Sequence, residues 1–302
     1  MSSRTHDRDH FFKYATLKTA MRVLETKSFR WSDPTKFNDP FDHQSGFVLG
    51  FGSDVLAATM FAALERIIFS EADPNITPNS LFSALTLRMR SIRHKLPRVE
   101  VLPQLYETCK ESAAIMQSSL SNFNKDLLAQ FCHSRVFCVS ERHDNVVMWS
   151  HYADTHKGVV FKLRCIDELD NTLLAARKVS YTDSFLPFPI AERYVKHLTG
   201  EQPLDLAALA WDIVITKHLD WSYEKEWRVH IPLLDEPPGD GYAFFKEDPR
   251  IFEAIYLGCR MDDNEVTAIV EHSRQHLPGT KIFRGAKNAT AFTLSFTEIN
   301  EI

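Results

Sequence analysis

Apolar positions along this 302-residue chain recur at more than one period. After Thr16, the residues Leu17, Ala20, Met21 and Leu24 fall at helical spacing, which predicts a helix with one buried face and the threonine as its N-cap. Phe11–Tyr14 and Ser28–Trp31 flank it as short strands, and Ser32-Asp33-Pro34 breaks the second. From Asp54 to Gln130 the pattern is helical. Val55, Ala58, Phe61, Ala62 and Ile68 mark one helix there; Leu81, Leu85 and Ile92 mark another before Pro97. Leu105–Phe123 and Lys125–Phe131 read as a third and a fourth.

The texture then changes. Val136–Ser140 reads as a buried strand, Asn145–Ala153 as a compact helix and Gly158–Leu163 as a strand. Ala176–Tyr181 predicts a further strand, Leu204–His218 a helix, and Glu224–Ile231 a strand ended by Pro232. Ile251–Leu257 is a strand, Asp263–His276 a helix, and Lys281–Arg284 and Ala291–Phe296 are closing strands. Helices and short strands mix without regular alternation. That predicts an α+β chain with a split mixed sheet rather than a doubly wound parallel one. The expected organisation is a single domain, with 54–130 as a helical insertion.

Composition changes this picture little. Hydrophobic residues at 44% and charged residues at 25% suit a globular chain with a substantial core, to which the 22 Phe contribute. The net charge of −5 gives no support to broad tracking of a phosphate backbone. The basic run Arg88–Lys95 reads first as a solvated helix face. The five cysteines are odd in number, widely spaced and without a CxxC pair, which fits reduced thiols. Cys132-His133 with Cys138 lacks a fourth ligand for a zinc site. A polar start and the lack of any long apolar run predict a cytoplasmic protein without a membrane partner.

Neither GxxxxGK[ST] nor GxGxxG is present, which disfavours a glycine-rich phosphate cradle. HExxH is missing too. Ser140, Ser150 and His151 invite a hydrolase reading, but GxSxG is absent.

The sharpest local feature is Trp221-Ser222-Tyr223-Glu224-Lys225-Glu226-Trp227-Arg228. On a strand, Glu224, Glu226 and Arg228 share one face, with the two carboxylates roughly 6–7 Å apart. In a cleft, their repulsion keeps a proton on one and leaves the other ionised, which suits chemistry through a cationic sugar-like state. The bland alternative is a solvated edge strand on which Glu226 and Arg228 form a weak salt bridge. A second constellation runs from Val136 to Phe161. There Trp149, His151 and Tyr152 offer flat surfaces for a planar ring, unless Met148, Trp149 and Tyr152 are simply core. A third joins Lys13 and Tyr14 to the turn-forming loop Asn38-Asp39-Pro40-Phe41-Asp42.

Together FNDPFD (Phe37–Asp42), MWSHYADTHKG (Met148–Gly158) and WSYEKEWR (Trp221–Arg228) resemble an uncharacterised bacterial family known only as a domain of unknown function, over about Tyr14 to Leu257. More distantly, the order of elements resembles the ADP-ribosyltransferase superfamily. In that comparison Tyr14 and the following helix, then Ser140, Trp149 or Tyr152 and Gly158, and last Glu224-Lys225-Glu226 occupy the family's motif positions. Lys13 and Tyr14 stand where the family has His or Arg.

The resemblance implies an enzyme that uses NAD as substrate and cleaves its nicotinamide–ribose bond. In it, Glu226 binds the ribose 2′-hydroxyl and steadies the oxocarbenium-like state, while Glu224 orients or deprotonates the acceptor. Trp149 or Tyr152 stacks on nicotinamide, and Lys13, Tyr14, Asn38, Asp39, Ser140, His151 and Arg228 complete the NAD site. The acceptor is a protein, a nucleic acid or water. A toxin or phage-defence role, with a neutralising partner protein, is natural to that superfamily. Two readings from other classes stand beside it: a non-catalytic nucleotide-sensing or interaction module, and a metal-dependent nucleic-acid hydrolase built on Asp39, Asp42, Glu224 and Glu226.

Overall fold

The computed structural model describes residues 4–43, 46–48, 50–131, 133–233 and 240–300. Cys132, weighed with His133 and Cys138 as a metal site and set aside, lies outside them. In chain order the regular elements begin with β1 (His10–Ala15), α1 (Leu17–Thr26), β2 (Ser28–Ser32) and β3 (Phe47–Val48). The helices α2 (Ser53–Phe69), α3 (Leu81–Ser91) and α4 (Arg98–Phe131) follow. Next come β4 (Ser134–Ser140), α5 (Val146–Tyr152), β5 (Val159–Arg164), β6 (Arg177–Lys178), β7 (Ser180–Thr182) and β8 (Leu186–Pro187). Then follow α6 (Ala191–Thr199), α7 (Leu206–Val214), β9 (Thr216–His218) and β10 (Glu226–Pro232). The last elements are β11 (Tyr242–Lys246), β12 (Phe252–Leu257), α8 (Asp263–His276), β13 (Lys281–Lys287) and β14 (Leu294–Glu298).

The chain divides into two compact units, one of residues 1–44, 130–183 and 214–302, the other of 45–129 and 184–213. The first carries a mixed sheet in the order β11-β2-β4-β1-β5-β12-β13-β14, with β10 paired to β4 and β6. Its pairings are antiparallel except β12 with β13. Alternation along the strands covers both faces. Val159, Phe161 and Leu163 of β5 join Ala20, Val23 and Leu24 of α1 and Val266, Ile269 and Val270 of α8 in the larger core. Val160, between them, turns the other way and packs with Phe12, Tyr14, Met148 and Trp149 under α5. Trp227, Val229 and Ile231 of β10 belong to the larger core, which leaves Glu226 and Arg228 on the opposite face. Strand β1 meets β4 only at Phe12↔Ser140, while β10 pairs β4 along its whole length, from Glu226↔Ser140 to Pro232↔Ser134. The sheet therefore parts beside the end of β4.

The second unit is largely helical. Leu56, Ala57, Met60, Leu64 and Ile68 of α2 form its core with Leu105, Cys109 and Ala113 of α4 and Val195 of α6. A parallel pair, β3 with β8, completes it. No helix of the described residues is long and apolar enough to cross a membrane.

Four expectations need correction. The segments Leu105–Phe123 and Lys125–Phe131 belong to one helix, α4, which begins at Arg98 and takes Pro103 into its early turns. The helix expected over Leu204–His218 ends at Val214, and Thr216–His218 pairs in parallel with β7. The strand expected from Glu224 starts at Glu226. Glu224 instead ends a 3-10 turn, Leu219–Glu224, and Lys225 sits in the left-handed region with φ 46°. Finally, the strand expected over Ala176–Tyr181 is two, β6 in the large sheet and β7 in the separate pair with β9, while α6 and β11 carry no pattern that the sequence reading recognised.

Candidate functional site

Where β1 and β4 part, a cavity of about 150 Å³ opens in the first unit. That is the size of a void that holds a single benzene ring. Phe12, Tyr14, Phe37, Met148 and Tyr152 give it apolar walls, and Lys217, Glu224 and Glu226 bring charge to it. Both glutamates are buried, so the solvated-edge alternative does not hold.

The two acids reach the cavity from different kinds of backbone. Glu226 opens β10, and its amide donates to the Tyr181 hydroxyl at 2.8 Å. Glu224 hangs on the preceding 3-10 turn, which three bonds clamp to the end of β4 and the start of α5. Ser140 Oγ donates to the Glu224 carbonyl at 2.6 Å, Glu141 N to the Lys225 carbonyl at 3.1 Å, and Asn145 Nδ2 to the Tyr223 carbonyl at 2.8 Å. Asn145 also caps α5, its Oδ1 accepting from Val147 N and Met148 N. One asparagine thus fixes both the helix that carries Tyr152 and the turn that carries Glu224.

Charges inside the site are closely matched. Arg228 is fully buried, and all five of its N–H donors find acceptors. Nε donates to Glu226 Oε1 at 2.8 Å and Nη2 to Glu226 Oε2 at 3.0 Å. Nη1 and Nη2 grip Asp42 at 2.8 and 2.6 Å, and Nη1 also reaches the Val214 carbonyl at 2.7 Å. Lys217 Nζ bridges the two glutamates, at 2.7 Å from Glu224 Oε2 and 2.9 Å from Glu226 Oε2. The second oxygen of Glu224 accepts from the Tyr152 hydroxyl at 2.6 Å.

These partners drive the two acids apart. Burial opposes ionisation of Glu226, but Arg228 and Lys217 outweigh it and hold its carboxyl well below the usual range. Burial and the charge of Glu226 push Glu224 up, and Lys217 offsets only part of this. Asp42 is held near 2: burial raises it, and Arg228 together with the His43 hydrogen bond more than compensates. Burial, then the charge of Glu224, raises the Tyr152 phenol. Burial lowers Lys13, whose Nζ donates to the Cys138 carbonyl at 2.7 Å.

Of the residues singled out in the sequence, Lys13, Tyr14, Asn38, Ser140, Tyr152, Glu224 and Glu226 line the cavity. Some of them are already engaged. The Tyr14 hydroxyl donates to the Arg142 carbonyl at 3.0 Å, and Ser140 Oγ serves the Glu224 turn rather than an open face. Four residues stand elsewhere. Trp149 is fully buried, with Nε1 donating to the His143 carbonyl at 2.7 Å, so it is core and not a stacking platform. His151 is exposed, 3.3 Å from the Tyr223 hydroxyl, and does not line the cavity. Asp39 turns inward to accept from Phe41 N at 2.9 Å and shapes the loop. Arg228 lies behind Glu226 and acts through it. Sequence reasoning missed Lys217, hidden in an assumed helix, and the pairing role of Asp42.

The hydrolase reading fares poorly. Lys217 and Arg228 occupy the carboxylate oxygens that a divalent cation needs, and Asp39 points away. Among the described residues no group of His, Cys, Asp and Glu is arranged to hold a metal ion.

No curated protein and no solved structure matches the chain. A family model does, over a stretch narrower than the resemblance from Tyr14 to Leu257 but taking in most of α5, Lys217, both glutamates and Arg228. Residues 148–229 match the family described as "Protein of unknown function (DUF2971)".

Proposed function

We propose that the chain is an ADP-ribosyltransferase-like enzyme that cleaves the nicotinamide–ribose bond of NAD. The observation that carries this reading is the meeting of Glu224 and Glu226, shifted in opposite directions, at a ring-sized and ring-lined cavity. Environments that separate the proton affinities of two neighbouring acids also separate their roles. Glu226 keeps a fixed negative charge beside the sugar as positive charge develops there. Glu224, with its higher proton affinity, takes the proton of the attacking acceptor as the bond to the ribose carbon forms and nicotinamide departs. Tyr152 takes the stacking role first shared with Trp149, because only Tyr152 faces the cavity. The acceptor is a protein or nucleic-acid group, as suits a toxin or phage-defence effector. The split sheet and the element order support an ADP-ribosyltransferase-type core.

Incubating the parent protein with NAD and measuring free nicotinamide by mass spectrometry tests the reading. Glu226→Gln is expected to slow release by about 100-fold or more, roughly 2.7 kcal/mol of barrier. Release at the parental rate by Glu226→Gln overturns the assignment.

A second reading is favoured by one feature: Arg228 and Lys217 already occupy both oxygens of Glu226. A pocket so compensated suits a module that binds a nucleotide without turnover. Binding of NAD by the parent with no nicotinamide released selects it.

A further inference from the structure

A second cleft, of about 690 Å³, opens in the same unit on the other side of α5. It is lined by Ser150, His156, Cys259, Arg260 and Lys287, with the fully exposed Phe292 beside them. None of these residues serves the glutamate site.

Three of them form a directed chain. Ser150 Oγ donates to the Val146 carbonyl at 3.1 Å, within its own helix. Its single proton is thereby used. With that bond made, His156 Nε2, 3.1 Å from the same oxygen, takes the donor role. That tautomer leaves Nδ1 as the acceptor, and Cys259 Sγ stands 3.9 Å from it. In that tautomer each proton in the row Cys259–His156–Ser150–Val146 has one acceptor.

The backbone is built to hold this row. Asp154, Thr155 and His156 are consecutive non-glycine residues in the left-handed region, with φ of 47°, 51° and 70°. Such runs are costly and persist only where the surroundings fix them. Here His156 N donates to the Trp149 carbonyl at 3.1 Å, Lys157 N to the Asp154 carbonyl at 3.0 Å and Gly158 N to the Ala153 carbonyl at 2.7 Å. Arg260 N donates to the His156 carbonyl at 3.0 Å, tying the cysteine segment to the histidine turn. Gly258 permits that approach, since a Cβ there would lie 2.1 Å from the His156 carbonyl oxygen. Burial and Arg260 lower the His156 imidazole, which keeps it neutral and able to accept a proton near pH 7.

We propose that Cys259 is a nucleophilic thiol, with His156 as its general base and Ser150 as the positioning residue that fixes the imidazole tautomer. The arrangement of nucleophile, base and orienting group is the one on which thiol catalysis rests. Arg260 and Lys287 select the ligand class: a small electrophilic carbon compound that carries a carboxylate or phosphate. In the covalent step the Cys259 proton passes to His156 Nδ1 as the Sγ–C bond forms. The leaving group departs with the electron pair of the bond it breaks.

Alkylation of the full-length protein tests this, with iodoacetate and iodoacetamide in parallel and each cysteine quantified by peptide mass spectrometry. Cys165, a half-buried thiol that burial pushes up to about 11, is the slow internal control for an intact fold. Cys259 is expected to react about 100-fold faster than glutathione, as general-base assistance provides, and to prefer the anionic reagent. His156→Gln is expected to bring Cys259 down to the rate of glutathione. Ser150→Ala slows it by a smaller factor. Arg260→Ala with Lys287→Ala removes the preference for iodoacetate and keeps the iodoacetamide rate. Two results overturn the proposal: parental Cys259 reacting no faster than glutathione under the same conditions, or folded Ser150→Ala and His156→Gln proteins alkylating at the parental rate. The parental reagent preference is informative even if a variant fails to fold.

Discussion

At the scale of single residues, the glutamate site is a problem of buried charge. Asp42, Glu226 and Arg228 are all withdrawn from water, and the pairing of each depends on the others. Burying ions is expensive, and removing one partner leaves the rest uncompensated. Arg228→Met should therefore cost about 3–5 kcal/mol in urea unfolding. Adding Asp42→Asn to that variant should recover part of the loss, because one stranded charge is then gone. The pH dependence carries two opposing signs. Asp42 and Glu226 lie below their ordinary values, so their stabilisation is present above the carboxylate range. It is lost as the pH falls, through about 2 for Asp42. Glu224 lies above its ordinary 4.5. Its contribution is present below that value and is lost as the pH rises through the higher folded one. Glu224→Gln removes only this second loss. Relative to the parent, its melting temperature should climb from pH 4.5 upward. Parallel curves for the two proteins in thermal melts across this range would remove the case for a strained Glu224.

At the scale of elements, what was legible in the sequence was what short-range chemistry decides. Thr16 caps α1 through its own side-chain oxygen, and Asp262 and Glu265 form a reciprocal capping box at the start of α8. The apolar run that predicts β5 fills both faces of the sheet, Val159, Phe161 and Leu163 on one and Val160 on the other. Long-range pairing decided the rest. Val214-Ile215-Thr216 continues an apolar helix by pattern, yet β9 is drawn off by β7, and so Lys217 went unseen. Alternation across Trp221–Arg228 does not register the 3-10 turn or the left-handed Lys225. It put both acids on one strand, whereas a clamp from Ser140, 84 positions away, brings Glu224 into place. The amphipathic period of α5 marked a buried face correctly but not which aromatic residue lies behind it and which faces the cavity. Gly158 offers a test at this scale. It follows the left-handed turn and leads into β5, and a Cβ there would lie 2.2 Å from the Ala15 carbonyl oxygen. Nothing flexible can yield, because the neighbour is the backbone of β1. Gly158→Ala should destabilise by about 1–3 kcal/mol, as forced overpacking does. Chemical denaturation measures it, and an unchanged midpoint would mean that β1 and β5 are not packed as closely as described.

At the scale of the whole molecule, the question is what part of a large ligand the protein can enclose. The cavity accepts one ring, so the greater part of a dinucleotide must lie outside it. The chain offers little general attraction for phosphates: its net charge is −5, and its one basic run is partly spent on its own unit. There Arg90 donates to the carbonyls of Ile67, Ser70 and Ala72, and Arg93 pairs with Glu71 at 3.3 Å. Binding of the ring should therefore govern recognition, and nicotinamide alone should stabilise the protein. At a concentration 100 times its dissociation constant the gain is about 2.7 kcal/mol by mass action, visible as a rise in melting temperature. Because the charges that meet the ring are buried, this rise should persist from about 0.1 to 1 M salt, while the Debye length shrinks from about 10 to 3 Å. Attraction through exposed phosphates would instead collapse over the same range. Stabilisation by ADP-ribose but not by nicotinamide, lost on adding salt, would place recognition on the outer surface and leave the paired glutamates without a ligand.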